Sequence, residues 1–254
     1  MTINKIKKLF EQGNVCVVGE RGAGKDMLFA NVVCRRKLDY ISNTEYKRKK
    51  GLEMIHYPLE FEKINCGGNT YKNFMEGNIL PYEYPYPLGV DVYIADVGVY
   101  MPSQYCNELN RDYKQIPIFM ALSRQIAQCN VHINVQNLNR AWDKLREQSR
   151  TYITCLKCKV FKIGKKELVI QRIRIYEKYE SCVNNVPTLK LPFSATIGKD
   201  ALMGRLYKLN YRISHGKIEE KTLIYFNESD YDTHVFREML KPKKKEGEFI
   251  EKVV

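Results

Sequence analysis

Asn14-Val15-Cys16-Val17-Val18-Gly19-Glu20-Arg21-Gly22-Ala23-Gly24-Lys25-Asp26-Met27 is the stretch whose reading decides the fold. Asn14 to Val18 is a short apolar run, the pattern of a fully buried parallel strand. Gly19 to Lys25 fits GxxxxGK, and Lys25 to Leu38 predicts a helix with Met27, Leu28, Val32 and Leu38 on its apolar face. A buried strand entering a glycine loop and a helix leaving it is the setting that phosphate binding requires. Backbone N–H groups of such a loop point at phosphate oxygens, and the lysine reaches the β and γ oxygens. Gly19, Glu20, Arg21, Gly22, Ala23, Gly24, Lys25, Asp26 and Met27 are therefore the expected nucleotide-binding residues, with ATP as ligand.

Working outward, Val90 to Ala95 predicts the next buried strand, and it ends at Asp96. A carboxylate there suits the acidic site that orients Mg²⁺ in P-loop NTPases. Asp26 stands where a Ser or Thr hydroxyl normally meets the ion, and its carboxylate offers the oxygen ligands that Mg²⁺ prefers. Asp26 and Asp96 are thus the metal candidates. A glutamate usually follows the strand-end aspartate as general base, and here the residue is Val97. Hydrolysis then uses another carboxylate, is slow, or does not occur, and a glutamate restored at 97 is expected to raise turnover. Val131 to Val135 predicts a third strand, ending in Gln136, whose amide is expected to face the γ-phosphate or its water. The catalytic candidates are Asp96, Gln136 and Arg146. Arg124, Arg140 and Arg150, on or near flanking helices, are alternatives for an arginine acting on a neighbouring subunit's nucleotide.

Elsewhere Tyr40 to Asn43 predicts a short strand, and residues 44–90, rich in Tyr, Pro and Gly, show weak periodicity. Pro102 and Ser103 open a helical region running, with a break, to Gln128, in which Pro117 suits a first helical turn, and Arg140 to Gln148 predicts another helix. This alternation implies an α/β fold, a mostly parallel sheet with helices on both faces. Beyond residue 150 the pattern changes. Tyr152 to Lys162 and Leu168 to Tyr179 carry β-formers about Gly164-Lys165-Lys166, an antiparallel hairpin, and Thr222 to Phe226 is a further strand. The expected organisation is a nucleotide-binding core over 1–150, a β-rich extension over 151–240 packed on it, and a charged tail over 241–254.

With 44% hydrophobic residues, eighteen Tyr and ten Phe, the chain can bury a core. Its longest apolar stretch, Ile116 to Leu122, is far short of the roughly 18–20 residues that span a bilayer, and no signal peptide is evident. The expectation is a cytoplasmic protein. The eight cysteines read as reduced thiols, the Cys155-Leu156-Lys157-Cys158 pair having no second pair to complete a zinc site. The net charge of +13 suits a polyanionic partner such as DNA.

Several of these residues together resemble the Zot (zonular occludens toxin) family of filamentous-phage assembly ATPases, related to the FtsK–HerA motors. They are Asp96 to Ser103 (Asp-Val-Gly-Val-Tyr-Met-Pro-Ser), Ser123-Arg124-Gln125, Val135-Gln136-Asn137-Leu138 and Arg146, with Asn43 and Tyr231-Asp232-Thr233 besides. The resemblance covers roughly residues 12–160 plus that C-terminal piece. It implies a P-loop ATPase, phage-encoded and working in the host cytoplasm. Such a protein couples Mg·ATP to DNA translocation, packaging or virion assembly as a homo-oligomeric ring, with portal or assembly proteins as partners. Val97 departs from the family's glutamate, and no membrane span follows the ATPase region. The alternatives are a catalytically silent nucleotide-binding scaffold and a small-molecule or nucleotide kinase, the latter lacking a recognisable arginine-rich lid between Asp96 and Gln136.

Overall fold

Alternate residues of the Val15–Val18 run enter two different cores, which is why the whole run is apolar. Cys16 and Val18 pack with Ile94, Ile133, Phe119 and Met120 on one side of the sheet. Val15 and Val17 pack with Phe10, Leu28 and Val32 on the other. The structure, a computed structural model, describes residues 2–51, 53–60, 85–97, 116–140, 143–190 and 201–230. In chain order these form α1 (Ile3–Gln12), β1 (Val15–Val18), α2 (Lys25–Arg36), β2 (Tyr40–Ser42), β3 (His56–Pro58), β4 (Val92–Ile94) and α3 (Ile116–Ile126). There follow β5 (Val131–Val135), a 3-10 turn (Leu138–Arg140), α4 (Asp143–Arg146), β6 (Thr151–Ile163), β7 (Lys166–Tyr176), α5 (Tyr179–Val183), α6 (Ala201–His215) and β8 (Ile218–Phe226). Pro102, Ser103 and Tyr231 to Thr233 lie outside the described residues.

The strands make one sheet in the order β3-β2-β4-β5-β1-β6-β7-β8. The first six are mutually parallel, and β7 and β8 are antiparallel additions. The fold is thus α/β with a mostly parallel sheet and a C-terminal antiparallel unit. Thr151 to Thr154 of β6 run parallel to β1, and the strand then continues as far as Ile163 to pair with β7. The β-rich extension is therefore continuous with the sheet that carries β1. α1, unanticipated, is set by Ile3, Ile6 and Phe10, whose spacing places them on one buried face. Two expected helices end earlier than the pattern suggested: α2 ends at Arg36 and exposes Leu38, and α4 ends at Arg146 rather than Gln148.

At the end of the strands opposite the glycine loop, Asp91 sits 7% exposed beside the Arg36 guanidinium, which also donates to the Tyr93 hydroxyl at 2.7 Å. The Asn130 N–H donates to its other oxygen at 2.6 Å. Burial acts to raise the Asp91 pKa, but the adjoining His132 ring, Arg36 and the Asn130 N–H outweigh it and hold it at about 2. Burial keeps His132 itself neutral at ordinary pH, leaving Arg36 as the standing charge. A carboxylate depressed in the fold stabilises it above the unfolded value near 4 and loses that contribution as pH falls toward 2. The amount is about 2 kcal/mol. Denaturation midpoints between pH 5 and 2 should show this loss in the native chain, and Asp91→Asn should flatten that part of the profile.

Candidate functional site

The candidate site lies where β1, β4 and β5 end. β1 passes into the loop through Gly19, whose N–H donates to the Val135 carbonyl at 3.1 Å, so the loop is anchored on the neighbouring strand. Glu20, Arg21 and Gly22 are exposed. Gly24 caps α2 at φ 84°, and a Cβ there would fall 2.6 Å from Cβ of Cys158, so both backbone and space demand glycine. The first intrahelical bond runs from Leu28 N–H to the Gly24 carbonyl at 2.9 Å. The N–H groups of Lys25, Asp26 and Met27 precede it and have no intrahelical acceptor, which suits them to an anion. Met27 takes part through its backbone only, because its side chain packs against the α2 core.

Three charged residues converge at this helix end. The Lys25 ammonium, with a side chain only 5% exposed, lies 2.8 Å from Asp26 Oδ2 and 3.0 Å from Asp96 Oδ1. Burial acts to lower its pKa, but the two carboxylates outweigh burial and keep it charged. Asn134 on β5, wholly buried, completes the group. Its Nδ2 donates to Asp26 Oδ1 at 2.9 Å, and its Oδ1 accepts the Asp96 N–H at 2.6 Å. Asn43, just past β2, braces the same turn from the other side, donating to the Ala95 carbonyl at 3.0 Å and accepting the Ala95 N–H at 2.8 Å.

Asp96 adopts a left-handed φ of 48°. This conformation is uncommon outside glycine, although Asp and Asn tolerate it best. Reversing the chain at Asp96 leaves its carboxylate at Lys25 and sends Val97 into the apolar core, fully buried. Position 97 therefore does not present a side chain to the phosphate side, and the expectation that a glutamate there would supply a base is corrected: its carboxylate would enter hydrocarbon.

A cleft of about 520 Å³ opens beside the loop, bounded by Gly19 to Ala23, by Gln136 to Asn139, by Thr154 to Cys158 on β6 and by Cys182, Val183 and Asn185. Gln136 is half-buried in its wall, on the phosphate-loop side. Arg146 is turned elsewhere. It donates to the Leu138 carbonyl at 2.5 Å and lies over the Tyr179 ring at 5.3 Å, so it props the turn after Gln136. Arg124 and Arg150 both donate to the Gln12 carbonyl, at 2.6 and 3.1 Å, next to the start of β5 and β6. They sit at the wrong end of the strands to meet a phosphate in their own subunit. The side chain of Arg140 is outside the described residues.

The antiparallel unit reaches under the loop, a role that sequence reading missed. A β-bulge between Cys155 and Lys157 brings Cys155 and Cys158 opposite Ile173 and Gln171, two residues apart and so on one face of β7. Both cysteines then lie under the loop, Cys155 against Gly19 and Cys158 against Gly24. Burial pushes both thiols up, so they pack as neutral groups. Gln171, fully buried on β7, donates to the carbonyls of Gly24 at 2.9 Å and Ala23 at 3.3 Å, and accepts from the Tyr225 hydroxyl at 3.0 Å.

Asp26 and Asp96 offer hard anionic oxygens on one point, a donor set that fits Mg²⁺. Among the described residues there is no group of three or more His, Cys, Asp or Glu side chains placed to hold a metal, and no helix long and apolar enough to cross a membrane.

Strand, glycine loop, helix, buried lysine and strand-end carboxylate together make this a P-loop NTPase fold. No family model and no curated protein matches the chain. Among solved structures it is similar to the N-terminal domain of zonular occludens toxin from Neisseria meningitidis, with 11% identity over 72% of this chain and 97% of that one and a TM-score of 0.37. It is also similar to the genome packaging NTPase B204 of Sulfolobus turreted icosahedral virus 2 in complex with AMPPCP, with 12% identity, coverage of 71% and 98%, and a TM-score of 0.39. EssC ATPases 2 and 3 of Geobacillus thermodenitrificans give 12% identity, coverage of 63% and 38%, and a TM-score of 0.35. Likeness at this level carries no residue role from those proteins to this chain.

Proposed function

We propose that the chain binds Mg·ATP at the Gly19–Lys25 loop and uses it to drive a nucleic-acid motor of the phage packaging or assembly kind. The observation that carries the nucleotide reading is the buried Lys25 ammonium held between Asp26 and Asp96 at the N-terminus of α2. Without a ligand that cation is matched by two carboxylates. A triphosphate would take it over, leaving Asp26 and Asp96 to hold Mg²⁺. The ion would neutralise phosphate charge there. Asn134 keeps the two carboxylates in place while the lysine moves. The 520 Å³ cleft then has room for the nucleoside, and Gln136 in its wall can orient water.

The motor reading is supported by the resemblance of Asp96, Ser123 to Gln125 and Val135 to Leu138 to the Zot-like ATPases, and by the net charge of +13. It carries with it a homo-oligomeric ring in the cytoplasm of a host cell, with DNA and virion-assembly proteins as partners. The burial of Val97 favours a second reading, nucleotide binding without turnover, unless Glu20 on the exposed loop or a carboxylate of an adjacent subunit acts as base. A phosphate-release assay with and without DNA separates the two. The motor reading expects Mg²⁺-dependent hydrolysis stimulated several-fold by DNA. Saturable ATP binding with no phosphate release under either condition would reject it in favour of the silent scaffold.

A further inference from the structure

A second cleft, of about 710 Å³, lies apart from the phosphate loop, beside the tip of the β6–β7 hairpin. Its volume is in the ~300–1,000 Å³ range of ligand sites. Three separate segments bring cations to it: Arg35 and Lys37 at the end of α2, Arg48 to Lys50, and Lys165 with Lys166 at the hairpin turn. Among the described residues lining the cleft, these seven cations face two carboxylates. Glu228 lies 2.9 Å from Arg35, and Glu167 lies 2.6 Å from Lys49. Phe226 forms part of the wall, 44% exposed, with the Lys166 ammonium 5.4 Å above its ring.

The walls are built rather than draped. The Lys49 N–H donates to the Glu228 carbonyl at 2.9 Å, and the Asp230 N–H to the Lys47 carbonyl at 2.7 Å. The Asn227 N–H donates to the Glu167 carbonyl at 2.8 Å, fastening the end of β8 to the hairpin. Asn31, buried in the middle of α2, donates to Asn227 Oδ1 at 2.8 Å and accepts the Glu228 N–H at 2.9 Å. The cations are thus carried on a frame fixed to the helix that starts at the phosphate loop.

We propose that this cleft is a binding site for a strand of nucleic acid. Its lysines and arginines contact successive backbone phosphates, and Phe226 offers a face on which a base stacks. An excess of five positive charges in one concavity is the electrostatic footprint of a phosphate backbone. An exposed aromatic among them is what sequence-tolerant single-strand sites use. An acidic protein or an anionic membrane would meet the same charge, but the ring lies in the wall of a concavity, which suits a stacked base better than a flat bilayer surface, and the test below separates the three. The inference deepens the motor reading by locating its nucleic acid, yet it stands on features independent of the nucleotide site.

The test is fluorescence anisotropy of a labelled 20-nucleotide single strand with the full chain, without ATP, over 50–200 mM salt. Lys165→Glu with Lys166→Glu, both exposed at a turn, should weaken binding at least tenfold and lower the slope of log K against log salt by about 1–2. Arg205→Glu with Lys208→Glu, an equal charge change on exposed α6 residues outside the cleft, should change affinity less than twofold. Phe226→Ala should weaken the single strand more than a duplex of the same length. Lys25→Ala should leave strand binding intact, which keeps failure of this proposal distinct from failure of the nucleotide reading. Equal weakening by the hairpin and α6 variants would overturn the site as diffuse charge. Absence of strand binding at 50 mM salt, or hairpin-dependent binding that prefers phosphatidylserine vesicles or polyglutamate, would overturn it as well.

Discussion

Val97→Glu is expected to unfold the protein more readily and to leave ATP turnover no higher than in the native chain. Val97 is fully buried among Ile94, Val135, Ile116 and other apolar residues of one core. A carboxylate placed there has no cation to pair with in that cluster and must either remain charged in hydrocarbon or take up a proton. An uncompensated buried charge costs on the order of 3–5 kcal/mol, a large share of a domain's ~5–15 kcal/mol. Chemical denaturation would register this as a lower midpoint. A variant of native stability with faster phosphate release would show instead that position 97 turns outward when nucleotide binds.

Asn134→Asp is nearly isosteric, yet its expected effect is as large. The native amide ties Asp26 to the turn after β4 by donating to Asp26 Oδ1 while accepting the Asp96 N–H. In the variant an oxygen faces Asp26 Oδ1 across 2.9 Å, and Lys25 must answer three carboxylates. Like charges that close cannot both ionise, so the introduced group and Asp26 are expected to retain one proton between them. The folded variant then holds a proton that the unfolded chain releases near pH 4, and its stability falls as pH rises from there through the folded pKa. At pH 8 the loss should approach ~3–5 kcal/mol, with ATP affinity reduced by the added negative charge. Denaturation midpoints that match the native chain at every pH from 5 to 8 would show that a carboxylate at 134 does not repel Asp26.

How much of this was legible beforehand depends on how local the cause is. β1, the glycine loop and α2 were readable because strand, turn chemistry and helix follow within about twenty residues, each with its own pattern. β5 was readable for the same reason, and so was the hairpin about Gly164, where two β-rich runs flank a turn. α1 was overlooked although Ile3, Ile6 and Phe10 show helical spacing. α6 was overlooked too, although Leu202, Leu206, Leu209 and Ile213 recur at helical spacing; in the fold that stripe is exposed and marks no core face.

Within the site, the loop, Lys25, Asp26 and Asp96 were found because each ends or begins an apolar element. Asn134 was not, since an asparagine inside a buried strand carries no periodic signal. Its polarity within the apolar run Val131 to Val135 was the available hint. Gln171 lies 147 residues from Gly24 in sequence, and only strand order brings them together. The direction of Val97 hinges on the left-handed turn at Asp96, which a motif cannot disclose. Which end of the sheet Arg124 and Arg150 meet was not readable, because position on a helix or before a strand does not say it.

The most direct test of the nucleotide site is a calorimetric titration of Mg·ATP into the native chain and into Lys25→Ala, with the fold of each checked by circular dichroism. Lys25 is the group that a triphosphate would draw away from Asp26 and Asp96, and losing one partner of a buried charge pair costs ~2–5 kcal/mol. Saturable one-site binding by the native chain, weakened at least about 30-fold in the folded variant, is the expected result. Equal ATP affinity in the two folded proteins would contradict the account.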